Sequence, residues 1–220
     1  MRRVHLLVEG QTEEIIADAV FRPHLESLGC TVSVSILETK RPAGGGKHRG
    51  GVSHWSRISR DLRLLLASNF DVVTTLIDYY GFPSDAPGMA DRPAAGAYER
   101  VAHVERALAN VVGDARFLPN LVVHETEAWV FAASAELAEL AGDTSLADDL
   151  RKAVDFAGGA ELINDAPETA PSKRLVARMP TYLKTLHGPL AIEALGLPAL
   201  RGQCPRLDSW VSRLEQHVRS

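Results

Sequence analysis

Val4-His5-Leu6-Leu7-Val8-Glu9-Gly10-Gln11-Thr12-Glu13 is the stretch on which the fold turns. Residues 4–8 are apolar or β-favouring throughout, too few for a helix, and they end abruptly at Glu9-Gly10, so they read as a buried strand. Beyond the glycine the period changes. Ile15, Ile16, Ala19, Val20 and Phe21 recur at helical spacing until Gly29 stops them. Residues 31–37 alternate and are β-rich, giving a second strand. Ser53 can cap a helix with Trp55, Ile58, Leu62 and Leu65 on one side, and 72–77 is a fully apolar third strand that delivers Asp78. A helix over 98–112 and a fourth strand over 117–123 follow, ending at His124-Glu125-Thr126-Glu127. Strand-helix alternation of this kind predicts an α/β fold, a mostly parallel four-stranded sheet with helices on both faces. After about residue 133 only helical patterns remain, around Leu137-Leu140, Leu146-Leu150-Val154, Leu183-Leu186 and Leu207-Trp210-Val211-Leu214. The expected division is an α/β domain over 1–132 and a helical C-terminal region over 133–220 packed on it.

Composition excludes several classes. The 220 residues are 45% apolar and 24% charged, which excludes a disordered or fibrous chain, and the net charge of −4 gives no global basic field. Cys30 and Cys204 are too few for a disulfide framework or a zinc knuckle. No apolar run approaches the roughly 18 residues of a membrane span, and Met1-Arg2-Arg3 leads straight into the first strand without a signal core. The expectation is a cytoplasmic protein. Locally the charge reverses: Lys40, Arg41, Lys47, Arg49, Arg57, Arg60 and Arg63 face only Asp61 between positions 40 and 63. Lys47, Arg49, Arg57 and Arg60 are therefore candidates for contacts to nucleic-acid phosphates, against the plainer reading of a solvated loop and helix face. The glycine run 44–46 lacks P-loop spacing, so ATP binding by this chain is not expected.

In parallel sheets ligands bind beyond the carboxyl ends of the strands. Here those ends carry Glu9, Asp78, Glu125 and Glu127, and Glu13 lies one helical turn after Glu9. Converging carboxylates repel one another unless a cation neutralises them, and oxygen donors select Mg2+ or Mn2+ over zinc. The structural alternatives are a helix-dipole role for Glu13 and a loop-capping role for Asp78. His124 can orient a water or simply be a satisfied strand-end group. Tyr79 and Tyr80 can stack on a base or pack under the loop 81–97, and Trp210 reads as core. Ser172-Lys173 does not make a nucleophilic dyad, because neighbours on a helix diverge by about 100°.

Val8-Glu9-Gly10-Gln11-Thr12-Glu13, Leu76-Ile77-Asp78-Tyr79-Tyr80-Gly81 and Val123-His124-Glu125-Thr126-Glu127 resemble the Toprim nucleases of the overcoming-lysogenization-defect (OLD) type. With Ala170-Pro171-Ser172-Lys173-Arg174-Leu175 and the tail around Cys204-Pro205 and Trp210, the chain looks closest to domain-of-unknown-function family 4276. The resemblance implies a Toprim-like fold and a Mg2+- or Mn2+-dependent nuclease. It implies Glu9 as general base or metal ligand, and Glu13, Asp78, Glu125 and Glu127 as metal ligands. Lys173 would stand at the scissile phosphate, with Arg174 among the nucleic-acid contacts. Implied partners are nucleic acid, DNA favoured, and a separately encoded ATPase, in defence against phage or other foreign DNA. One departure stands out: Tyr80 replaces the second Asp of Asp-x-Asp. Either Glu125 replaces that acid, or one metal binds firmly, or the chain is a non-catalytic module that binds nucleic acid or an ATPase partner.

Overall fold

In the computed structural model, residues 1–37, 54–163 and 170–219 are described. The glycine run, Ser53, Lys47 and Arg49 lie outside them. Strand β1 (Arg3–Val8) sits between β2 (Thr31–Ile36) and β3 (Val72–Asp78), and both pairings are parallel. Val8 is level with Ile36 on one side and Leu76 on the other, so β1 and β2 end together and β3 runs two residues further, to Asp78. Beyond β3 the expected continuous fourth strand is broken in two, β4 (Phe117–Leu118) and β5 (Leu121–Val122), each parallel to β3. Pro119 is the reason, because it has no N–H to give the ladder. Threonine side chains patch the gap. Thr74 Oγ1 donates to Leu118 O at 2.6 Å and Thr75 Oγ1 to Asn120 O at 2.8 Å, while Asn120 N–H returns a bond to Thr75 Oγ1 at 3.0 Å.

Alternation along the strands supplies two cores. Val4, Leu6, Val8, Val72 and Leu76 face one side, where α1 (Gln11–Ile16), a π-helical turn (Ala17–Phe21) and α2 (Arg22–Ser27) run as one continuous helix. The widened turn directly precedes Pro23, whose missing N–H an α-helical ladder could not use. Leu7, Val73 and Ile77 face the other side, under α3 (Trp55–Leu66) and α4 (Ala97–Val112). Helices thus cover both faces of an α/β sheet. His5, also on β1, bridges Ser33 Oγ and Ser35 Oγ at 2.8 Å each, and burial pushes its pKa down to about 4.

The C-terminal helices close the first face. They are α5 (Glu127–Ala132), α6 (Ser134–Ala141), α7 (Thr144–Ala157), α8 (Pro171–Arg178), α9 (His187–Leu195), α10 (Leu197–Gln203) and α11 (Pro205–Arg219). Their apolar residues join those of β1 and β3 in one cluster that runs uninterrupted through Ala132 and Ala133. Trp210 is fully buried in it, edge-on to Phe21, and donates from Nε1 to Thr74 Oγ1 at 2.9 Å. The helix expected around Leu183-Leu186 is instead a run of turns. Pro180 holds Met179 extended (φ −129°, ψ 87°), so α8 cannot continue. Among the described residues no helix is long and apolar enough to cross a membrane.

Candidate functional site

At the carboxyl edge β1 stops at Val8, and the Glu9 N–H donates to Leu76 O at 3.1 Å, holding the first residue past the strand beside the end of β3. Glu9 Oε2 accepts from the Asp78 N–H at 3.1 Å. Asp78 Oδ1 accepts from the Thr126 N–H at 2.9 Å, and Thr126 Oγ1 donates to Glu13 Oε1 at 2.8 Å. Glu13 Oε2 in turn lies against Gly10, where an added Cβ would stand only 3.3 Å away. Glycine is needed there for close approach and not for its dihedrals, since its φ of −155° suits any residue. These contacts close a ring through Glu9, Asp78, Thr126, Glu13 and Gly10. The turn that brings Thr126 into it passes through His124, a non-glycine residue at φ 66°. That is backbone of the kind stored at functional sites. The carbonyl of His124 accepts from the Tyr80 N–H at 2.8 Å.

Glu127 opens α5 and is buried at 3% exposure. Its Oε1 pairs with Lys184 Nζ at 2.7 Å. Burial, then the charge of Glu13, pushes Glu9 up to about 7. Asp78 stands well above the carboxylate range, through burial first and then Glu9, Glu13, Glu127 and Glu125. Glu127 is raised by burial, which Lys184 only partly offsets. Burial pulls Lys184 down, yet Glu127, Glu125 and Asp78 outweigh it and leave the ammonium held above its usual range. The cluster is short of positive charge. Its donors are carboxylate and hydroxyl oxygens, the set that suits a hard divalent cation such as Mg2+ or Mn2+. Among the described residues, no three His, Cys, Asp or Glu side chains are already gathered to hold a metal ion. The carboxylates are held instead by the Asp78 N–H, Thr126 and Lys184.

Glu9, Glu13 and Asp78 are thus brought together, with Glu127 within their field. Glu125 is buried nearby, but its Oε2 accepts from the Ser172 N–H at 3.0 Å in the first turn of α8. It serves as a helix cap. Lys173 is exposed on α8 and Arg174 is half-buried beside it. The lysine that meets the carboxylates is Lys184, which the sequence reading missed because it lay inside a stretch read as a helix. Tyr79 is buried against Phe82, Ala86 and Met89 of the following loop and accepts at Oη from Arg92 Nη1 at 2.9 Å. Tyr80 is 41% exposed. Arg57 and Arg60 lie on α3, Arg60 with its Nε 3.2 Å from Asp61 Oδ1. Because α3 returns from the carboxyl end of β2 to the amino end of β3, Arg57 in its first turn lies at the edge that carries Glu9. Trp55 N–H agrees with this placement, donating to Asp85 Oδ1 in the loop after β3 at 2.9 Å.

A parallel α/β sheet bearing a buried carboxylate cluster at its carboxyl edge defines the class of protein. The family described as a domain of unknown function, DUF4276, matches residues 8–215, and the chain belongs to that family. No curated protein matches the chain. Among solved structures, the C-terminal region of the Burkholderia pseudomallei OLD protein is similar at 16% identity and a TM-score of 0.46, with 99% of each chain covered. The C-terminal region of the Xanthomonas campestris pv. campestris OLD protein is similar at 17% identity in crystals phased with different heavy atoms. Phased with mercury, it gives a TM-score of 0.43 over 100% of this chain and 95% of that one. Phased with platinum, it gives 0.41 over 100% and 98%.

Proposed function

We propose that the protein is a Mg2+- or Mn2+-dependent phosphodiesterase that cleaves nucleic acid, DNA before RNA. The observation that carries this reading is the ring of contacts joining Glu9, Asp78 and Glu13 at the carboxyl edge, with Glu127 and Lys184 beside it. Glu9, Glu13, Asp78 and Glu127 are the residues that would hold the cation. Bound there, it supplies charge neutralisation at the phosphate and a water made acidic enough to attack near neutral pH. The chain's own contributions are distinct from that. Glu9 is the ligand or, alternatively, the proton acceptor; in the metal-free protein burial and Glu13 hold it at about 7, and a cation bound there would displace its proton. Arg57, at the same edge, offers a contact to the nucleic-acid backbone. The motif resemblance supports a separately encoded ATPase as partner, and foreign-DNA defence in the cytoplasm as the setting.

A second reading, a non-catalytic module that binds nucleic acid or the ATPase, has its own observation. Exposed Tyr80 stands where the motif calls for an acid, and one oxygen of Glu125 is engaged at α8. The test is cleavage of plasmid, single-stranded DNA and RNA with Mg2+ or Mn2+, with and without the ATPase. Glu9→Gln and excess chelator should each abolish cleavage. Binding without cleavage by the wild type, across metals and with the partner present, would replace the enzyme with the module.

A further inference from the structure

The run 180–186 between α8 and α9 is held to the molecule by two unlike contacts. Tyr182 is buried at 6% exposure, its Oη without a hydrogen-bond partner and facing Glu125 and Glu127 electrostatically. Gly188 makes room for that hydroxyl, since a Cβ there would stand 2.6 Å from it. Two residues on, Lys184 reaches Glu127 through a side chain that remains 51% exposed. Leu183 and Leu186 around it are open to water at 56% and 46%. One end of the run is therefore packed through Tyr182, the other joins α9 through the Leu183 N–H, which donates to His187 Nδ1 at 2.8 Å, and the Lys184 side chain adds one ion pair.

Glu127 cannot be left alone. A buried carboxylate stripped of its partner carries an uncompensated charge, which is strongly destabilising. Lys184 supplies one positive charge to Glu127, and Glu9, Asp78 and Glu125 also lie in its field. A divalent cation that takes Glu127 Oε1 brings two charges to the oxygen Lys184 holds and repels an ammonium at contact distance. The two compete for that oxygen.

We propose that Lys184 is a resident counter-ion that a divalent cation displaces from Glu127, so that loading the site frees the lysine side chain while Tyr182 and the Leu183–His187 contact keep the 180–186 run in place. The inference rests on the carboxylate cluster being a cation site, the reading given above. The order of events follows: cation first, lysine second.

The test needs no activity. Calorimetric titration of Mn2+ into metal-free wild type, Lys184→Met and Lys184→Gln should show both variants binding about tenfold tighter, because neither has an ion pair to break, a gain of about 1.4 kcal/mol. In the wild type, acylation by an amine-reactive ester, read by peptide mass spectrometry, should be several-fold slower at Lys184 than at exposed Lys173 without metal. Mn2+ should close that gap. This second measurement uses unmodified protein and is independent of how the variants fold. Equal or weaker Mn2+ binding by both variants, with Lys184 acylation indifferent to metal, would overturn the exchange and leave the cation site standing. Absence of Mn2+ binding by all three proteins would overturn the cation site, and the exchange with it.

Discussion

Glu9 and His5 lie on one strand and its end, yet burial moves their proton equilibria in ways that act oppositely on stability. Glu9, raised to about 7, holds its proton longer in the folded protein than in the unfolded chain. Its contribution is fully present below about pH 4.5 and is lost as pH rises through 7. Glu9→Gln keeps an acceptor for the Asp78 N–H but removes the buried charge. We expect the metal-free variant to be more stable than wild type at pH 8 by roughly 2 kcal/mol, and the two to converge near pH 4.5. Urea denaturation in chelator at both pH values checks this; an equal loss at both would show that Glu9 is only a structural acceptor. His5 behaves inversely. Its pKa of about 4 means that the unfolded chain takes up a proton first, so stability is lost as pH falls from about 6.5 to 4. His5→Gln should shed most of that loss, roughly 2 kcal/mol after solvent screening, visible as a flatter stability profile between pH 6.5 and 4. At this scale Glu9, Glu13, Asp78 and Glu127 were legible in the sequence, because an acid directly after a buried apolar strand is carried to the sheet edge and not to open surface. Lys184 was not, since nothing local marks a lysine whose partner is brought to it by the folding of α5, α8 and α9.

Among the elements, the broken fourth strand shows where pattern reading overran. Residues 117–123 are apolar enough to suggest one strand, but Pro119-Asn120 already carried the contrary signal in the missing N–H. What no pattern could announce is the repair from the neighbouring strand, where Thr75 Oγ1 both gives to Asn120 O and receives from Asn120 N–H. Thr75→Val keeps the shape and deletes both bonds, leaving two buried backbone groups unsatisfied. We expect it to cost about 1–3 kcal/mol in chemical denaturation. A loss below about 0.5 kcal/mol would mean that β4 and β5 hold their places without it. The same stretch positions the His124 turn, so the variant should also loosen the contact between Thr126 N–H and Asp78.

For the molecule as a whole, the division near residue 132 falls inside a shared core. Leu6 and Leu76 on the sheet meet Leu175, Ile192 and Trp210 from the C-terminal helices in one cluster. We expect residues 1–132 expressed alone to lack cooperative unfolding and to bind a hydrophobic dye, because one sheet face would stand uncovered. A sharp, reversible melt of that fragment would show that the first unit is self-sufficient. The alternation of strands and helices made the α/β class and the two-sided covering readable in advance. How closely the late helices bind to the sheet was not readable, because Trp210 finds Thr74 across most of the chain.

The placement of β1 has a further consequence, for the order in which the chain is made. Of the strands of this sheet, β1 is made first, yet it is an inner strand and must wait for β3 before its second flank is paired. Parallel neighbours of that kind are slow to find each other. Glu9 meets Asp78 only then, Glu127 arrives after three more elements, and Lys184 comes last of these. A nascent or prematurely terminated chain therefore carries the acids without their counter-ion, and has neither an assembled cluster nor a covered core. Whatever this centre does, only a chain made past Lys184 and the helices that cover the sheet can do it, and shorter products are marked for proteolysis by the apolar sheet face they leave bare.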